Sequence, residues 1–182
     1  MGEVLYAKLE KKVEKAEEIF PCDMRVGTIE SIADHPEQDT LYVCQVNMGA
    51  ELGTRQVCAG LKGKYEAAEL QGRSVVLLLN LKPAEFKGVK SEGMMLVGDQ
   101  QKPQKLQGLL KAGDGSVANG TPVVCEGAKT VVAPDMDLKV FQKLELKVLG
   151  DNLGVTYKKT MALTAGGQVV AAERVKPNSN IR

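Results

Sequence analysis

Histidine, tryptophan and closely spaced cysteine are scarce or missing in this chain of 182 residues, and each gap removes a class of chemistry. The single histidine, His35, leaves no partner for a two-histidine metal site, and any Ser-His-Asp triad would have to use it. Cys22, Cys44, Cys58 and Cys125 contain no CxxC spacing, so zinc-knuckle and dithiol redox work are not expected. Four reduced, mostly buried thiols in a cytosolic protein are expected instead. There is no Trp, and the aromatics number only four Tyr and three Phe, which argues against a stacking platform for single-stranded nucleic acid. No apolar run approaches the roughly 20 residues that cross a bilayer, and no basic-then-apolar leader opens the chain, so neither a membrane span nor a secretory signal is expected. The glycines form neither a GxxxxGK[ST] nor a GxGxxG motif after a strand. Asp34, Glu37 and Asp39 crowd a proline turn and read as solvated or capping carboxylates, while His35-Pro36 reads as a strand terminus rather than a general base. No catalytic constellation, metal or cofactor is expected.

Charge is present but unevenly placed. The net charge is +1. Residues 20–51 set one Arg against six acids, a net −5, whereas residues 73–111 set seven bases against three acids, a net +4. Residues 126–182 carry a further net +3. A near-neutral total therefore hides basic segments.

Periodicity divides the chain. Leu5, Leu9, Val13, Ala16 and Phe20 recur at helical spacing before Pro21, which predicts an amphipathic helix or linker over residues 1–20. Strands are then expected at 24–33, 41–48, 54–59, 74–81 and 91–97, with a helical piece around 67–69. Gly27 within the first strand suggests a bulge or a tight barrel bend. Short strands at about ten-residue spacing, with one helical piece between the third and fourth, are the pattern of a five-stranded, partly open Greek-key barrel, the OB-fold. A further strand at 122–125 would complete a domain over 21–125. Residues 126–182 read as a small α/β extension. Asp135 and Asp137 sit at a helix start, Phe141, Leu144 and Val148 have helical spacing, and Gly150 provides a stop. Two short strands follow, near 153–164 and 167–173.

The segment from Asn80 to Met94 is the candidate binding element. Lys82, Lys87 and Lys90 lie between the last two strands of the expected barrel, Pro83 and Gly88 shape the loop, Asn80 and Ser91 offer neutral hydrogen bonds, and Met94 or Met95 offers a soft apolar contact. A loop of this kind on a small barrel is where such folds hold nucleic acid, although its spacing alone reads first as a solvated basic hairpin.

Four ordered motifs extend the reading: Arg25-Val-Gly-Thr-Ile, His35-Pro-x-x-Asp39-x-Leu-Tyr-Val43, Asn80-Leu-Lys-Pro83 and Lys87-Gly-Val-x-Ser91-x-Gly-Met94. They resemble the tRNA-binding domain of the endothelial-monocyte-activating polypeptide II family, which includes C-terminal domains of eukaryotic tyrosyl- and methionyl-tRNA synthetases and synthetase cofactors. The resemblance continues through Lys139-Val-Phe-Gln-Lys-Leu144 and the tail Ser179-Asn-Ile-Arg182. It implies a cytoplasmic, non-catalytic module that recognises the shape and backbone of the tRNA corner without strong anticodon specificity, appended to or partnering an aminoacyl-tRNA synthetase or a multi-synthetase complex. Shape and backbone readout of A-form RNA needs Lys, Arg, Ser and Asn rather than stacking aromatics. The family's tRNA contacts carry over to Asn80, Lys82, Lys87, Ser91 and Met94. Arg25 is a further candidate with an alternative structural role at the bulge, and Lys90 joins them from its place in the basic loop. The bacterial relatives lack the extension and pair through the barrel, which implies that residues 126–182 dock there to form a pseudo-dimer within a monomer. The family's alternative is a secreted cytokine-like signalling polypeptide. Here Thr28 stands where that signalling segment has a basic residue and Glu30 where it has an isoleucine, which argues against it.

Overall fold

The computed structural model describes residues 18–182. Its strands, in chain order, are β1 (Glu18–Phe20), β2 (Met24–Asp34), β3 (Tyr42–Asn47), β4 (Thr54–Ala59), β5 (Ser74–Leu78), β6 (Ala84–Phe86), β7 (Val89–Ser91), β8 (Met94–Met95), β9 (Val97–Gln100), β10 (Leu106–Ala112), β11 (Val123–Cys125), β12 (Ala128–Thr130), β13 (Leu146–Leu149), β14 (Gly154–Tyr157), β15 (Met161–Ala165), β16 (Gln168–Ala172) and β17 (Asn180–Ile181). Two short helices interrupt them, α1 (Ala67–Leu70) and α2 (Leu138–Gln142).

A five-stranded sheet in the order β4-β3-β2-β5-β8 curls into a nearly closed barrel. The first strands follow directly from side-chain alternation. In β3, Tyr42, Cys44 and Val46 are buried while the residues between them are half-exposed. β5 is different: Val75, Val76, Leu77 and Leu78 are all buried. Val75 and Leu77 enter the barrel interior with Ile29, Val46 and Val57, whereas Val76 and Leu78 enter a second core with Val26, Phe141, Val148 and Leu163. A run of four apolar residues must be covered on both faces, and Leu110 of β10, together with residues beyond 125, supplies the second cover.

Gly27 marks a close approach rather than a bulge. A Cβ there would lie 2.4 Å from Met48 Sδ and 2.7 Å from Val46 Cγ1. The register slips further along the strand, between Ile29 and Ser31. The barrel closes through one backbone bond, Glu92 N–H to the Gln56 carbonyl at 2.7 Å, and through side chains. Cys58 N–H donates to Ser91 Oγ at 3.0 Å, Ser91 Oγ donates to the Gly93 carbonyl at 3.0 Å, and Gln56 Nε2 donates to the Lys90 carbonyl at 2.8 Å.

The second sheet is a ring. β10 pairs with β9, β9 with β17, β17 with β13, β13 with β14, β14 with β16, and β16 back with β10. β15 and β11 extend it beyond β16. Gly108 lets the ring and the chain after β16 meet, because a Cβ at that position would lie 1.4 Å from the Glu173 carbonyl oxygen.

Several expectations are corrected. Residues 18–20 are a strand parallel to β12, so the helix expected over 1–20 does not include them; the rest of that segment lies outside the described residues. The helix expected in the extension starts at Asp137 as expected but spans only five residues, α2, and the other regular elements there are strands. Val148 lies in β13, where Leu146 and Val148 alternate with the half-exposed Lys147 and Leu149. Period two, with partners on both sides in β14 and β17, outweighs the helical spacing from Phe141. The strand expected at 91–97 is divided among β7, β8 and β9, and the one expected at 153–164 is split at Lys158 and Lys159, whose φ values are 53° and 64°. Strands β10 and β12 have no counterpart among the expected elements.

Candidate nucleic-acid interface

The basic loop forms a regular hairpin. β6 and β7 pair antiparallel around a two-residue loop, Lys87-Gly88, with φ values of 45° and 85°. Two successive positive φ angles make a type I′ turn, whose twist suits a tight hairpin. His35 anchors this tip. Its Nδ1 accepts from the Glu37 and Gln38 N–H groups at 3.0 and 3.1 Å, so the ring proton lies on Nε2, which donates to the Phe86 carbonyl at 2.6 Å.

Beneath the hairpin is a cleft of about 690 Å³. Its apolar surface comes from Leu79, Leu81, Phe86, Met94, Met136 and Leu138. Arg55, Lys82 and Lys90 supply cations, and Glu92, Asp135 and Asp137 supply carboxylates. The 135–138 segment is brought to this place by backbone bonds. Lys82 N–H donates to the Met136 carbonyl at 3.0 Å, and Met136 N–H donates to the Asn80 carbonyl at 2.6 Å. The cleft is therefore walled on one side by the hairpin and on the other by the C-terminal extension.

The seven sequence candidates divide by environment. Lys82, Lys90, Ser91 and Met94 line the cleft, and Lys87 occupies the hairpin tip. The Lys82 side chain is 63% exposed and lies 3.6 Å from Asp137 Oδ2, so its charge is shared with a rim carboxylate in water. Arg55, Lys87 and Lys90 form no ion pair among the described residues. Ser91 is buried and spends its hydroxyl closing the barrel. Asn80 is buried too. Its Oδ1 accepts from Asp23 N–H at 3.0 Å, and its Nδ2 donates to the Pro21 and Ala133 carbonyls, both at 2.8 Å. These bonds engage both ends of the Asn80 amide. Arg25 stands apart from the cleft, in a depression of about 130 Å³ with Met48, Asn119 and Gly120. Its Nε donates to Asp23 Oδ1 at 2.9 Å and its Nη1 to the Gly120 carbonyl at 3.1 Å.

Sequence reasoning did not single out Arg55, Phe86 or the 135–138 wall. Phe86 is the one with a legible signal: an aromatic between Glu85 and Lys87 in a polar hairpin, 38% exposed in the structure. Cys58, on the same wall, has its thiol pushed above the ordinary range by burial.

Residues 24–122 match the model of the family described as "Putative tRNA binding domain". The chain is 39% identical over 160 residues to a cytoplasmic tyrosine–tRNA ligase of Xenopus laevis, covering 84% of this chain and 30% of that protein. It is 30% identical over 159 residues to a cytoplasmic methionine–tRNA ligase described as probable, of Dictyostelium discoideum, covering 86% of this chain and 21% of that protein. This chain thus spans less than a third of the length of either relative. The crystal structure of the C-terminal domain of Plasmodium vivax p43 superposes with a TM-score of 0.74 at 27% identity, covering 88% of this chain and 96% of that one.

Proposed function

The chain belongs to the tRNA-binding domain family, and from that premise we propose that it grips the outer corner of tRNA through the β6–β7 hairpin and the cationic rim beneath it. The observation that carries this reading is the group of Lys82, Lys87, Lys90 and Arg55 around one hairpin, three of them without an ion pair among the described residues. Asn80 acts through position. It ties Pro21, Asp23 and Ala133 to the strand that leads into the hairpin, and Ser91 fixes the hairpin's far end. Arg25 serves the barrel rather than the RNA.

Such a module raises a synthetase's hold on tRNA by adding a second, general contact, because two linked weak sites gain through effective concentration. It works in the cytoplasm, appended to or partnered with an aminoacyl-tRNA synthetase, in or out of a multi-synthetase complex. The extension occupies the face that a second copy would otherwise cover, so this chain is a monomeric pseudo-dimer with domain limits near 21–125 and 126–182. The support is the core shared by Val76 and Leu78 of the barrel with Phe141, Val148 and Leu163 of the extension.

The test is a titration of labelled bulk tRNA at salt concentrations from about 50 to about 200 mM. Four phosphate contacts give a log–log slope of about −3.6, or roughly a 150-fold loss of affinity across that range. Replacing Lys82, Lys87 and Lys90 together by Ala lowers the slope by about one for each of these lysines that touches a phosphate. A flat salt response, or an unchanged slope in a triple variant of native stability, rejects the reading.

A further inference from the structure

A cleft for phosphate alone would be lined with cations and backbone donors. This one is not. Arg55, Lys82 and Lys90 are balanced by Glu92, Asp135 and Asp137, and the surface between them is Leu79, Leu81, Phe86, Met94, Met136 and Leu138. Carboxylates repel a phosphate but accept hydrogen bonds from the amino and imino groups of a nucleobase. An exposed Phe ring is a stacking surface for a base of any identity. Exposed cations at the hairpin tip and cleft edge would keep the flanking phosphates outside.

We propose that the cleft under the β6–β7 hairpin receives one unpaired nucleobase of the bound RNA, stacked on Phe86, while Lys87, Lys90 and Arg55 hold the neighbouring phosphates. The ring is presented by a turn that His35 pins through the Phe86 carbonyl at 2.6 Å, so the stacking surface is preorganised. This rests on the tRNA-binding reading and deepens it. The module then reads two things at the tRNA corner, a charged backbone and a base outside the helical stack. Seven aromatics are too few for a track along a single strand but sufficient for one subsite.

The experiment measures binding of this chain by fluorescence anisotropy to three RNAs sharing one stem: a blunt duplex, the same stem closed by an unpaired loop, and that hairpin with abasic loop nucleotides. The looped RNA is expected to bind about 5- to 150-fold tighter than the duplex, the usual worth of one stacked base. The abasic loop is expected to return to the duplex value. Phe86→Ala is expected to abolish the preference for the looped RNA over the duplex, Phe86→Tyr to keep it, and Phe86→Leu to lose most of it while retaining apolar bulk. Equal binding of loop and duplex by the unaltered chain overturns the inference, as does a loop preference that survives Phe86→Ala or the abasic substitution. If the Phe86 variants melt early, the abasic comparison with the unaltered chain decides by itself. Loss of salt-sensitive binding to every RNA would instead sink the tRNA-binding reading.

Discussion

Replacing Glu173 by Gln should loosen the clamp that holds the ring sheet on the barrel. Tyr65, in the connector after β4, donates from its hydroxyl to Glu173 Oε1 at 2.6 Å, and the same hydroxyl accepts from Leu109 N–H of β10 at 2.9 Å. Arg73 pairs with Glu173, and its own Nε is buried without a partner among the described residues, so the guanidinium depends on that carboxylate. Arg174 lies over the Tyr65 ring at 4.0 Å and bonds Glu69 at 2.9 Å. The substitution removes the negative charge facing Arg73 and weakens two hydrogen bonds. Bonds to charged groups contribute about 1.5–3 kcal/mol each. The Glu173 side chain is 36% exposed, so water screening favours the low end, and the expected loss is about 2–3 kcal/mol. For a chain of this size that is roughly 4–12 °C in Tm.

The pH dependence gives the decisive check. Burial works to raise the Glu173 carboxyl, but the bonds from Arg73 and Tyr65, with the charges of Arg73 and Arg174, outweigh it and leave it below its ordinary value of 4.5. A carboxyl depressed in the folded state contributes stability above its unfolded value and loses it as pH falls through the folded value. The stability gap between the unaltered chain and Glu173→Gln should therefore be constant near neutrality and shrink below about pH 4.5. The Arg174–Glu69 pair is present in both proteins and cancels in the difference. Circular-dichroism melts or urea titrations at about pH 7 and about pH 3.5 measure the gap on either side of that value. A loss below about 0.5 kcal/mol near neutrality, within the range of a bare surface substitution, or a gap that persists unchanged at acid pH, refutes the clamp.

Gly108→Ala places a methyl group 1.4 Å from the Glu173 carbonyl oxygen, so β10 and the chain after β16 must separate; the melt should drop by far more than for Gly60→Ala, whose nearest neighbour is Leu41 Cδ2 at 3.8 Å. Asn80→Ala removes three hydrogen bonds and leaves Asp23 N–H unpaired, costing about 2–4 kcal/mol of stability. tRNA binding per folded molecule should change little, and a selective loss of binding at native stability would contradict that role. Burial pushes the Cys22 and Cys44 thiols up to about 12 and Cys125 up to about 11. Alkylation of the native chain at mildly basic pH, read by mass spectrometry, should therefore begin at the half-buried Cys58 and reach Cys22 only on unfolding.

The barrel was legible because its strands obey one rule each. Tyr42, Cys44 and Val46 alternate cleanly, and the apolar run through Val75–Leu78 announces a strand covered on both faces. The extension was legible in part: the helix start at Asp137 and the strand over 168–172 follow from the sequence, whereas the course of the chain from Phe141 to Val148 does not. Phe141, Leu144 and Val148 satisfy a helical period, yet Leu146 and Val148 also satisfy a strand period, and local spacing cannot choose between them. The choice was made by distant partners, Thr156 and Asn180, which flank Lys147 on either side. β10 escaped notice for a related reason. Its sequence, Leu-Gln-Gly-Leu-Leu-Lys-Ala, carries a glycine that weakens a strand in isolation. That glycine exists because another backbone lies against it.

The site divides along the same line between local and distant causes. Lysines on a short loop are visible because loops are exposed and charge needs no partner to be read. Side-chain commitment is not visible. Asn80 and Ser91 look like free hydrogen-bonding groups in sequence, but the partners of the Asn80 amide and the donor to Ser91 Oγ lie 33 to 59 residues away. The same holds for the cleft. Its apolar floor is assembled from the barrel, the hairpin and the 135–138 segment, so no window of sequence contains it. A resemblance carried by local motifs therefore points to the hairpin and assigns its buried anchors and its exposed cations one common role. Only the fold separates them. Asn80, Ser91 and His35 are committed to shaping the hairpin, and the side chains left to meet an RNA in the proposed function are Lys82, Lys87, Lys90, Arg55 and Phe86.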